Sequence, residues 1–134
     1  MKTPSKPSAK REYDSPKSRE RPDGHECKEH WPVKEYDLYV PLAYNDGRPI
    51  EGRKLVRLRE RLLAEFGGLT FFPQPNQGFW TFGDVTYHDN IVIYRVITAK
   101  PKVARRFFAL LKEDLKRDLR QEEILIVEKD ADLL

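Results

Sequence analysis

From residue 34 onward apolar residues recur first at every second position, then at every third or fourth, and the two periods alternate along the chain. Tyr36, Leu38, Val40 and Leu42 alternate with Glu35, Asp37, Tyr39 and Pro41, the pattern of a half-buried strand. Pro41 cannot donate to a ladder, so pairing is predicted to stop or bulge there. Tyr44-Asn45-Asp46-Gly47-Arg48-Pro49 then reads as a turn, with residues that tolerate positive φ followed by a proline. Leu55, Leu58, Leu62 and Phe66 share one helical face with Leu63 beside them, and Gly67-Gly68 supplies the cap. Leu69 to Phe72 restarts extended structure, Pro73 to Gly78 is expected to break it, and Phe79 to Tyr87 resumes it. His88-Asp89-Asn90 is expected to turn the chain into a strand at Ile91–Thr98, a stretch rich in β-branched residues. Pro101 suits the first turn of a second helix, whose buried face is expected from Val103, Ala104, Phe107, Phe108, Leu111, Leu115 and Leu119. A last strand is expected over Glu123–Glu128.

The order β-α-β-β-α-β predicts an α+β fold of the ferredoxin-like plait, an antiparallel sheet with two helices on one face. Right-handed crossovers place both helices together and leave the other sheet face open. An open face carrying aromatics is a candidate binding surface.

Residues 1–33 have a different character. Five prolines and few large apolar groups leave little to bury, so a disordered, mildly basic arm is expected there, ahead of a single domain at 34–134. Residues 1–34 carry nine basic against six acidic side chains, which accounts for the formal net charge of +3. That is weak attraction for phosphates, so nucleic-acid binding through the arm or the basic helix faces is a minor expectation. No signal-peptide or membrane-spanning stretch is visible, and Cys27 is the single cysteine, so a soluble, cytoplasmic protein is expected.

Catalytic signatures are absent: there is no nucleophile-His-acid order and no glycine-rich phosphate loop before a helix. His25, Cys27 and His30 offer three zinc-type ligands where a structural site uses four, so neither metal nor cofactor is expected. Asp46 and His88 fall in expected turns, where solvated roles are the ordinary ones. The aromatics are the stronger clue, with Phe79 and Thr81 alternating against Trp80 and Phe82.

Tyr39-Val40-Pro41-Leu42, Asn45 to Ile50, Phe66-Gly67-Gly68-Leu69-Thr70 and Gln77-Gly78-Phe79-Trp80 resemble a group of small bacterial proteins to which no activity is attached. The resemblance implies that these segments belong to one architecture. If the broken second strand folds back, Tyr44, Asn45, Asp46, Arg48, Gln77 and Trp80 would share a rim, with His88 as a further binding candidate. The leading expectation is an interaction module that uses its open sheet face for a protein partner or a homodimer. The alternative is a small enzyme or ligand-binding protein with a pocket at that rim, where Arg48 would clamp an anion and Asp46 or His88 would move a proton.

Overall fold

The computed structural model describes residues 31–134, so the N-terminal arm and its His25, Cys27 and His30 lie outside the described residues. Six elements follow in order: β1 (Trp31–Pro41), α1 (Gly52–Phe66), β2 (Thr70–Phe82), β3 (Val85–Thr98), α2 (Pro101–Asp118) and β4 (Leu125–Leu133). The strands form one four-stranded sheet in the order β2-β3-β1-β4. β3 runs antiparallel to both β1 and β2. This is the ferredoxin-like plait that the alternation of periods predicts, and Pro32–Ala131 form one compact unit.

The core lies between one sheet face and the two helices. Tyr36, Leu38 and Val40 of β1 and Val92, Tyr94 and Val96 of β3 meet Leu58 and Leu62 of α1 and Ala104, Phe108, Leu111 and Leu115 of α2. Rings join the layers: Tyr36 stacks on Phe108 at 4.4 Å, and Phe66 on the same ring at 5.3 Å. α1 ends where Gly67 adopts φ 76°, its N–H donating to the Leu63 carbonyl at 2.8 Å. α2 takes Pro101 in its first turn, where no N–H partner is lost. Val103, expected in the core, is half exposed because it falls beside Ala104 at the edge of the helix stripe. The β1–β3 register runs to Pro41 opposite Ile91, and one further bond, from the Leu42 N–H to the Asn90 carbonyl at 2.9 Å, follows before the chain leaves the sheet.

Three local expectations are corrected. β1 begins at Trp31, ahead of the first alternating position, because Pro32 and Lys34 interrupt the apolar pattern without preventing extension. The Pro73–Gly78 stretch does not break β2 or fold it back; the strand continues through an irregularity between Phe72 and Asn76. The hairpin turn is at Gly83-Asp84, not at His88-Asp89-Asn90. Gly83 takes φ 63°, which a glycine adopts freely, and a two-residue loop with glycine first connects Phe82 directly to Val85. His88, Asp89 and Asn90 are consequently strand residues.

On the sheet face away from the helices the structure places charge. Asp37 is 3 % exposed and accepts two hydrogen bonds from Arg95, from Nε at 2.8 Å and from Nη2 at 3.1 Å. Glu35 lies 3.3 Å from Arg95 and 3.0 Å from Lys129, which also reaches Asp37 at 3.6 Å. The Arg95 guanidinium sits over Phe72 at 5.0 Å. Burial pushes the Asp37 carboxyl up, but the Arg95 hydrogen bonds and the charges of Arg95 and Lys129 outweigh it and leave it below its ordinary value. Two acids and two bases thus neutralise one another across β1, β3 and β4.

Candidate functional site

Beyond the bond from Leu42 N–H to the Asn90 carbonyl, β3 has no β1 neighbour, and Gln77–Phe82 with Val85–Asn90 continue as a two-stranded ribbon. Its registers are Gln77 with Asn90, Phe79 with His88, Trp80 with Tyr87, Thr81 with Thr86 and Phe82 with Val85. The Phe79 and His88 rings stack at 4.6 Å and 6°, and the Thr81 and Thr86 hydroxyls are 3.2 Å apart. On the opposite face the Trp80 indole lies back over Gly78, where a Cβ would stand 3.6 Å from its Nε1. Phe82 is 81 % exposed, Phe79 63 %, Tyr87 and Val85 52 % each and Trp80 40 %. Both faces of the ribbon therefore show apolar groups to solvent.

Among the described residues nothing pairs with the outer edge of β2 either. β2 is an edge strand of the sheet, and no charged residue occurs between Glu65 and Asp84 in a chain that is 35 % charged. Edge strands of soluble proteins are usually guarded by Lys or other charges, and this one has none. Its prolines, Pro73 and Pro75, lie next to the irregularity rather than on the ribbon.

The seven residues singled out from the sequence fall into two groups. Gln77, Trp80 and His88 are on the ribbon. Tyr44, Asn45, Asp46 and Arg48 form the loop between β1 and α1, whose described bonds run to α1 and to the end of α2. Tyr44 is buried; its hydroxyl donates to Glu51 and accepts from Lys54 Nζ at 2.6 Å. Lys54 also donates to the Asp118 carbonyl at 2.8 Å. Asp46 accepts from the Arg48 backbone N–H at 3.0 Å and from its Nε at 2.7 Å, the bonding of a residue that closes its own turn. Asn45 donates to the Arg120 carbonyl at 3.5 Å. Arg48, Lys54 and Arg120 surround the Tyr44 ring at 5.2, 5.1 and 5.7 Å. The Tyr44 hydroxyl, with Lys54 nearby, holds the Glu51 carboxyl down at about 2. Here the polar groups are engaged with one another. Among the described residues no cluster of three or more His, Cys, Asp or Glu side chains is arranged to hold a metal ion.

The ribbon as a unit was not legible from spacing, because Phe79–Tyr87 reads as one strand when Gly83-Asp84 is passed over. Two signals mark it in retrospect: that Gly-Asp pair between alternating residues, and the uncharged run that precedes it.

No family model matches the chain, and no curated protein matches it. Among solved structures it is similar in fold to a phage SAM lyase in complex with S-methyl-5'-thioadenosine, with a TM-score of 0.55. The two are 17 % identical over 75 % of this chain and 88 % of that one. At that identity the likeness concerns the fold. No helix among the described residues is long and apolar enough to cross a membrane.

Proposed function

We propose that the protein is an interaction module whose association surface is the β2–β3 ribbon. The observation that carries this reading is the coincidence, on one element, of five exposed apolar side chains and an uncharged sheet edge. A two-stranded ribbon is marginally stable in water by itself, and large exposed apolar patches mark association sites. The exposed parts of those five side chains amount to about 600 Å2, a large share of the ~800 Å2 that each partner contributes to a standard interface. The ribbon bears Asp84 and Asp89 and neither Lys nor Arg, which is unsuited to phosphate and argues against a nucleic-acid partner there.

A small-molecule site is the competing reading, supported by the fold shared with a lyase solved with a thioadenosine. The engagement of Tyr44, Asp46 and Arg48 with their own neighbours favours the ribbon instead. The test is a Phe82→Ser/Tyr87→Ser variant of the full chain, compared with the wild type by sedimentation alone and in cell extract. The expected result is loss of every associated species, with the melting curve of the dissociated wild-type chain. Unchanged association by the variant would remove the proposal, and a thermal shift with S-methyl-5'-thioadenosine would favour the pocket.

A further inference from the structure

The β2 edge of the ribbon has a directionality that restricts what can pair with it. Phe82 and Val85 flank the two-residue loop, so they form a hydrogen-bonded pair, and the pattern alternates from there along an antiparallel ladder. The close Thr81–Thr86 and Phe79–His88 side-chain contacts fit the intervening narrow pairs. It follows that Phe82, Trp80 and Gly78 spend their backbone groups on β3, while Thr81, Phe79 and Gln77 direct theirs to the open edge. The next outward position would be residue 75, a proline without an N–H, and the chain turns at Gly83. The usable edge is therefore three outward residues long, with Phe79 at its centre.

We propose that this edge pairs with the same edge of a second copy, antiparallel, about a two-fold axis at Phe79. The inference rests on the reading of the ribbon as an association surface and names its occupant. Centring on Phe79 pairs Gln77 with Thr81 of the second copy, and Thr81 with its Gln77, for about six backbone hydrogen bonds. A shift of the axis to either side loses pairs to Pro75 or to the turn. Side chains agree with that register. Phe79 meets its own copy, giving an aromatic cross-strand pair flanked by the two His88 rings. Trp80 falls opposite Gly78 of the second copy, over which that copy's own indole lies, so the two Trp80 rings come together on the face opposite Phe79. The absence of charge from β2 matters equally, because in this register a charge at position 79 would meet its own copy across the axis.

The test uses the full chain with Cys27→Ser and a single cysteine introduced as Gln77→Cys, Phe79→Cys or Thr81→Cys, oxidised mildly, beside sedimentation of the unmodified chain. The expected result is twice the chain mass for the unmodified protein, and several-fold more disulfide-linked dimer for Phe79→Cys than for the other two. In the two-fold register those positions lie four strand residues from their own copies, beyond disulfide reach. A chain that stays monomeric at high concentration overturns the inference. So does cross-linking that is equal at the three positions or greatest at Gln77 or Thr81. A monomer whose Phe82→Ser/Tyr87→Ser form loses a different protein sinks the second copy and leaves the surface; a monomer whose variant loses nothing sinks both.

Discussion

At the scale of single residues, the chain handles its buried and bridging charges by pairing them. Asp37 sits in the middle of β1 with almost no solvent, held by the Arg95 fork. Removing the fork alone leaves a carboxylate with too little water to replace it. Arg95→Met is expected to lower stability by about 3 kcal/mol in urea unfolding, whereas Asp37→Leu with Arg95→Met together should regain most of that loss. On the helix side, Glu128 accepts from Arg105 Nη2 at 2.7 Å and Nε at 2.9 Å, and from the Tyr36 hydroxyl at 2.8 Å. The Arg105 bonds, followed by the Tyr36 bond, bring its carboxyl from 4.5 down to about 2. Asp37 is lowered as well. Since both folded-state values lie below the unfolded ones, their stabilisation is complete above the ordinary carboxylate range and is lost as pH falls through the folded values. Stability followed by circular dichroism is expected to be level from neutral pH to about pH 5 and to fall progressively toward pH 2. A decline that starts between pH 7 and 6 would point to another group.

At the scale of elements, the helices and the ribbon obey opposite rules. α2 is held by the burial of one stripe, so Phe108→Ala should cost about 3–5 kcal/mol in thermal or urea unfolding. The ribbon buries almost nothing within the chain, so Phe82→Ser should leave the melting transition of a dissociated chain unchanged. Its turn depends on a positive φ at Gly83, and Gly83→Val is expected to speed amide exchange across Gln77–Asn90 while the Leu38 and Val92 amides keep their protection. This contrast also explains what the sequence could disclose. Helix faces repeat over several turns, and Leu58, Leu62, Ala104, Phe108, Leu111 and Leu115 could be placed in the core from spacing. A strand pair that is exposed on both sides has no such periodic signature. Trp80 and Gln77 were recognisable as unusual, but their position depended on locating one glycine in a two-residue loop. The loop residues Tyr44 to Arg48 were identifiable as a turn, and their bonding to Lys54 and to the end of α2 required the fold.

At the scale of the whole molecule, one sheet carries three kinds of surface: a core face under the helices, an opposite face neutralised by Glu35, Asp37, Arg95 and Lys129, and an uncharged edge that runs out into the ribbon. The first two are satisfied within the chain. The third has no partner among the described residues, and that asymmetry is the basis for the proposal that the protein is a self-pairing module. The most direct measurement is amide hydrogen exchange, resolved by residue, at Gln77, Phe79 and Thr81 of the full chain over a wide range of protein concentration. The account predicts slow exchange at these three amides when the protein is concentrated and rapid exchange on dilution, with the Leu38 amide slow throughout. Rapid exchange at all concentrations would contradict it, as would protection that does not respond to dilution.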